Sequence, residues 1–119
     1  MSTETAQSDG MRREVAISER TVGSNGIWMG RTVVAPSARS AAHHHGHSET
    51  AIFVVSGRPV FVFLEGEEEV RLEANPGDYV YVPPWVPHRE ENPDPQMEAV
   101  VVIARNTQEA IVVNLPNLR

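Results

Sequence analysis

The sequence predicts an all-β domain, a sandwich or barrel of seven to nine short strands. Three observations carry that expectation. Nine prolines and eight glycines are spread along the chain. Proline locks φ and lacks an amide hydrogen, so such a distribution leaves little room for long helices. Apolar residues come in short runs rich in Val, Ile, Phe and Tyr, with turn signals every eight to twelve residues. Finally, no segment keeps a 3.6-residue apolar period over three turns.

The elements follow in order. Residues 1–11 are polar and aperiodic, which predicts a flexible, frayed N-terminal segment, and residues 12–119 then form one domain. Val15–Ile17 reads as the first strand. The Ser24-Asn25-Gly26 turn leads into Ile27–Val34, which closes at Pro36. Ala51–Val55 ends at Ser56-Gly57, and Val60–Leu64 and Glu69–Leu72 flank Glu65-Gly66, a hairpin with charged residues at its tip. Asn75-Pro76-Gly77 is a turn before Tyr79–Val82, where Val80 and Val82 are expected to face the core. Tyr79 and Tyr81 then meet a neighbouring strand or subunit. Met97–Ala104 is the longest apolar run, Thr107–Ala110 has room for a single helical turn, and Ile111–Val113 closes the set.

Composition narrows the chemistry. A chain of 119 residues can bury one core. Its net charge of -6 works against attraction to nucleic acid or anionic membrane. The acidic runs at Glu65, Glu67, Glu68, Glu69 and at Glu90, Glu91, Asp94 read as solvated loops and a turn. Without cysteine there is no disulfide, thiolate ligand or thiol nucleophile. All ten basic residues are arginine, so a lysine Schiff base is excluded as well. No phosphate-binding glycine loop and no serine elbow is present. No apolar run approaches the roughly 20 residues of a membrane span and no secretory signal is seen, so a cytoplasmic location is expected.

Four of the five histidines fall in His43-His44-His45-Gly46-His47. Neutral imidazole is a strong ligand for Fe, Mn, Ni, Zn or Cu, and several converging imidazoles need a positive charge between them. On an extended strand His43 and His45 point one way and His44 the other. Glu49 or Thr50 follows where the chain could return to the same ion. The fifth histidine, His88, stands just after the Pro83-Pro84-Trp85-Val86-Pro87 corner. Prolines stiffen that corner, and a rigid support keeps a ligand near its ion.

These residues resemble the two motifs of the cupin superfamily in its small, single-barrel form. The second motif, Gly-x5-Pro-x-Gly-x2-His-x3-Asn, is matched by Gly77, Pro83, His88 and Asn92 with every spacing preserved; Trp85 stands at its second glycine. The first, Gly-x5-His-x-His-x3-4-Glu-x6-Gly, is matched by His43, His45 and Gly57. Its glutamate is out of step. Seven residues before Gly57 stands Thr50, whereas Glu49 keeps the gap after His45 but not the gap before Gly57. The resemblance implies a double-stranded β-helix, or jelly-roll barrel. It also implies one divalent metal ion on His43, His45, Glu49 and His88, with His44, His47 and Thr50 as alternatives. Ligation needs unprotonated imidazole, so binding is expected to weaken below about pH 6.

Trp85 could cap the pocket mouth or stack on a flat substrate. Arg31 could bind a substrate carboxylate if it falls on the metal's side of its strand, and Arg58 and Arg105 have weaker claims. Cupins with such ligand sets include dioxygenases, isomerases, decarboxylases and lyases. The resemblance therefore implies a metal-dependent enzyme acting on a small organic molecule, with Glu49 a possible base if it is not a ligand. The other reading is a non-catalytic barrel that binds or senses a small molecule, which the displaced glutamate favours. Small cupins generally pair through their sheets, so a homodimer is expected.

Overall fold

The computed structural model describes residues 2–4 and 10–118. The strands are β1 (Ser2–Glu4), β2 (Met11–Ile17), β3 (Trp28–Val34), β4 (His43–His44), β5 (Thr50–Ser56), β6 (Val60–Glu65), β7 (Glu68–Glu73), β8 (Tyr79–Val82), β9 (His88–Glu91), β10 (Ala99–Arg105) and β11 (Val113–Asn114). They form a six-stranded sheet in the order β1-β2-β3-β10-β5-β8 and a five-stranded sheet in the order β11-β4-β9-β6-β7. Every pairing is antiparallel. The all-β jelly roll expected from the sequence is the fold observed.

Strand alternation builds the core between the sheets. Val15, Trp28, Ile52, Val54, Val80, Val82, Val101 and Ile103 come from the larger sheet, and Phe61 and Phe63 from the smaller. Val80 and Val82 face inward as expected, while Tyr79 and Tyr81 are exposed on the edge strand β8. The outer face of β6 is covered too, because Val60 and Val62 pack against Leu118 near the end of the chain. That cover explains why Val60–Phe63 is buried without alternation.

Several elements differ from the sequence expectation. Ser2–Glu4 pairs with β2 and Met11 is buried at the start of β2, so the segment expected to fray is in part a strand; residues 5–9 lie outside those described. The only helix among the described residues is Glu19–Val22, rather than a turn at 107–110. Ser18 caps it, its hydroxyl accepting from the Thr21 amide while Thr21 Oγ1 accepts from the Ser18 amide. The short strands β4 and β9 carry the histidines. Neither has an apolar run to reveal it, and both exist because neighbouring strands of the smaller sheet pair with them. Among the described residues no helix is long and apolar enough to cross a membrane.

Candidate metal centre

Register brings the two histidine motifs together. In the smaller sheet His43 on β4 lies opposite His88 on β9, and β6 places Phe63 on the other side of His88. The Phe63 ring stacks 5.6 Å from the His88 ring. Just past β4 the chain turns at Gly46, whose φ of 57° belongs to the left-handed region that glycine enters without strain. This turn leaves His45 beside His43, with ring centroids 4.8 Å apart, and 4.9 Å from His88. His43 and His88 are 4.4 Å apart.

The second nitrogen of each ring decides what the cluster can do. His43 Nδ1 donates to the Ala41 carbonyl at 2.7 Å, His45 Nδ1 to Ile111 at 2.8 Å, and His88 Nδ1 to Val86 at 3.1 Å. A carbonyl oxygen can only accept, so each Nδ1 carries a proton, and in the neutral ring the lone pair is then on Nε2. His88 Nε2 is fully buried and has no hydrogen-bond partner. The nitrogens that the three residues offer lie within 4.8 Å of one another. Two nitrogens each ~2.1 Å from one ion stand at most ~4.2 Å apart, so a small inward rotation of the rings would complete coordination. Backbone carbonyls that fix tautomer and ring direction are a common outer support of metal-binding histidines. Burial lowers His45 to about 4 and His88 to about 3, and the neighbouring His43 ring adds to both shifts. Both imidazoles are therefore unprotonated at neutral pH, the form that ligates.

The other candidate ligands go elsewhere. On β5 the side chains of Thr50, Ile52 and Val54 point inward, so the preceding Glu49 faces outward. There its carboxylate accepts from the Tyr81 hydroxyl at 2.8 Å and from Asn106 Nδ2 at 3.3 Å. Thr50 occupies the inward position and lines the cavity beside the histidines. One residue of displacement thus moves the carboxylate to the opposite face of the sheet. His44 turns away from the cluster; its Nδ1 accepts from the Gly46 amide, and its ring lies 5.7 Å from that of Trp85. His47 is exposed.

The two candidate substrate contacts lie outside the cavity. Trp85 is exposed and holds a left-handed φ of 66°, while its amide donates to the Gly46 carbonyl and pins the histidine turn. Arg31 faces outward because Trp28, Gly30 and Thr32 take the inward positions of β3. It pairs with Glu14 on β2, Nη2 to Oε1 at 2.6 Å. Arg13, Arg105 and Glu90 line the cavity instead. A count of two from His88 along an extended strand, or from Val15 back to Arg13, would have found two of them. Glu91 alternates away from Glu90 and bonds Arg89 Nε at 2.7 Å. Asn92, the last residue of the second motif, is buried. Its Nδ2 lies 3.2, 3.3 and 2.8 Å from the carbonyls of Val34, Ala35 and Met97, tying the end of β9 to the end of β3 and to the segment before β10.

The family model described as cupin domain matches residues 30–104, the span from β3 to β10 that contains both histidine motifs. The chain belongs to the cupin family. Solved structures agree with that membership. An oxalate oxidase in complex with glycolate superposes on the cupin with a TM-score of 0.78 at 22% identity, over 91% of this chain and 56% of the other. Oxalate decarboxylase of Bacillus subtilis gives 0.79 at 22% identity, over 94% of this chain and 30% of the other. Peruvianin-I, described as a cysteine peptidase from Thevetia peruviana latex, gives 0.80 at 15% identity, over 100% and 74%. The cupin therefore spans little more than half of the oxidase and under a third of the decarboxylase. At these identities the likeness is one of fold. Among curated protein sequences none matches the chain.

Proposed function

We propose that this cupin holds one divalent metal ion on His43, His45 and His88 and acts on a small organic molecule bound beside it. One observation carries the reading: three rings whose Nδ1 protons are each committed to a backbone carbonyl, and whose ligand nitrogens gather within 4.8 Å of one another. Lone pairs gathered in this way repel one another unless a cation lies between them. Fe, Mn, Ni, Zn and Cu all suit such donors. One oxalate decarboxylase neighbour is described with Mn(II) centres. When bound, the ion would supply a Lewis acid or an oxygen-activating centre with open positions. The chain supplies the rest. Val86, Ala41 and Ile111 orient the rings, Phe63 excludes water from one side of His88, and Thr50 offers a hydroxyl where a carboxylate would occupy a fourth position.

That hydroxyl also favours a second reading, a barrel that binds or senses a small molecule without turning it over. Elemental analysis of the untagged protein after exposure to Fe, Mn, Ni, Cu or Zn tests the metal site. About one ion per chain is expected, and none in the His43→Ala/His88→Ala variant. A wild type without stoichiometric metal would sink the proposal. Screens of oxygen uptake and product formation with aromatic, keto-acid and sugar substrates separate the two readings; binding without turnover favours the sensor. We also propose a homodimer through the edge strand β8, where Tyr79 is 82% and Tyr81 54% exposed. Light scattering on Tyr79→Ser/Tyr81→Ser should then report a monomer.

A further inference from the structure

The three imidazoles of the cluster are not supported alike. His43 and His88 each donate to a carbonyl two residues earlier in the chain, Ala41 and Val86, so each ring is oriented by its own stretch of backbone. His45 donates instead to the Ile111 carbonyl, 66 residues away. Its direction therefore depends on where the C-terminal segment lies. Ile111 also seats on the turn that follows His45: a Cβ on Gly46 would lie 3.0 Å from Ile111 Cγ2. Ala110 and Ile111 form that part of the cavity wall.

The segment that carries Ile111 is fixed at both ends and lightly held between them. At its start Arg105 donates to the Thr107 and Gln108 carbonyls at 2.9 and 2.8 Å, and the Ser48 and Thr107 hydroxyls are 2.9 Å apart. The Gln108 side chain donates to the Ile27 carbonyl at 2.8 Å. At its end Leu118 packs on Val60 and Val62, and of residues 110–118 it alone is buried. Between these anchors stands the two-residue strand β11, whose exposed Val113 and Asn114 pair with His44 and His43. The Leu115 amide then donates to the Ala42 carbonyl at 2.9 Å. So short a pairing, with exposed backbone and a single buried anchor, opens locally at lower cost than the core strands. Opening removes the partner that fixes the His45 tautomer, whereas His43 and His88 keep theirs. If one ion needs all three rings, its binding and the seating of this segment are linked, and such linkage is reciprocal.

We propose that residues 110–118 are a positioning strap for the candidate metal centre: seated, they aim His45 at the ion, and the bound ion in turn holds them down. The coupling rests on the metal reading; the strap's hold on His45 does not. Nitrogen–proton NMR correlation of the histidine rings in the metal-free full chain tests that hold. His45 should be the Nδ1–H tautomer in the wild type and shift toward Nε2–H in Leu118→Ser and in Ile111→Gly. His43 and His88 should be unchanged, which shows the barrel intact, and Leu118→Met should behave as the wild type. Zinc titration against a competing chelator tests the coupling. Leu118→Ser and Ile111→Gly should each bind zinc at least about tenfold more weakly with stoichiometry unchanged. Zinc should also slow hydrogen exchange of the wild-type Leu115 amide by about tenfold or more. An unchanged His45 tautomer in both folded variants would overturn the inference. So would zinc that binds the wild type and both variants equally, or a Leu115 amide indifferent to bound zinc; either would leave the metal reading intact. Failure of zinc to load on the wild type, with the tautomer response present, would defeat the metal reading and the coupling with it, and would support the strap's hold on His45.

Discussion

Lowering the pH of the metal-free protein from 7.5 to 5.5 should remove about 3 kcal/mol of folding stability through two histidines. Burial holds His45 at about 4 and His88 at about 3 in the fold. In the unfolded chain each titrates near 6.5. Between these limits the unfolded state binds more protons, so stability is full above about 6.5 and is lost as pH falls toward the folded values. At pH 5.5 an unfolded histidine is about nine-tenths protonated and a folded one hardly at all. Linkage then gives roughly 1.4 kcal/mol for each ring. Glu90 acts with the opposite sign. Burial raises its carboxyl against the pull of His43 and Arg13, so the folded state takes up its proton more readily. A Glu90→Gln background removes that opposing contribution. Urea denaturation with chelator present, in that background, should show the midpoint falling by roughly 1–3 M between pH 7.5 and 5.5, for m near 1–3 kcal/mol/M. His45→Gln/His88→Gln in the same background should abolish most of the shift. Equal midpoints at the two pH values would refute the argument that these rings are buried unprotonated.

Four further outcomes follow from the geometry. Glu49→Gln should leave metal stoichiometry and affinity unchanged, because its carboxylate is outside the barrel. Thr50→Glu, which puts a carboxylate on the inward face, should tighten zinc by about tenfold or more in a chelator competition. Asn92→Ala should cost roughly 2 kcal/mol in urea denaturation, since it removes the buried amide that bonds the Val34, Ala35 and Met97 carbonyls and strands the buried Val34 oxygen; a loss under about 0.5 kcal/mol would contradict the tie described. Trp85→Asn should raise the melting temperature by an amount equivalent to about 0.5–1 kcal/mol. Asparagine tolerates the left-handed φ of 66°, and Trp85 is 63% exposed. A fall in melting temperature would show that its contact with His44 outweighs the backbone strain.

Much of this protein was legible before its fold. Turn residues and period-two runs located most of the strands, including Tyr79–Val82 with its valines inward. The spacing Gly77, Pro83, His88, Asn92 pointed to the second motif. β4 and β9 left no such mark. Each is a short polar strand, stable only because barrel closure supplies its partners, so local propensity had nothing to report.

The division is sharpest at the candidate metal centre. Residue type, spacing and the resemblance to the cupin motifs pointed to His43, His45 and His88, with Glu49 beside them, because imidazole chemistry and motif spacing are written in the sequence. The role of every other cavity residue depended on which face of its strand met the core. Alternation ties neighbours to opposite faces without saying which face is inside; packing across the barrel makes that choice. It turned Glu49 and Arg31 outward, and it brought Thr50, Arg13, Arg105 and Glu90 to the histidines.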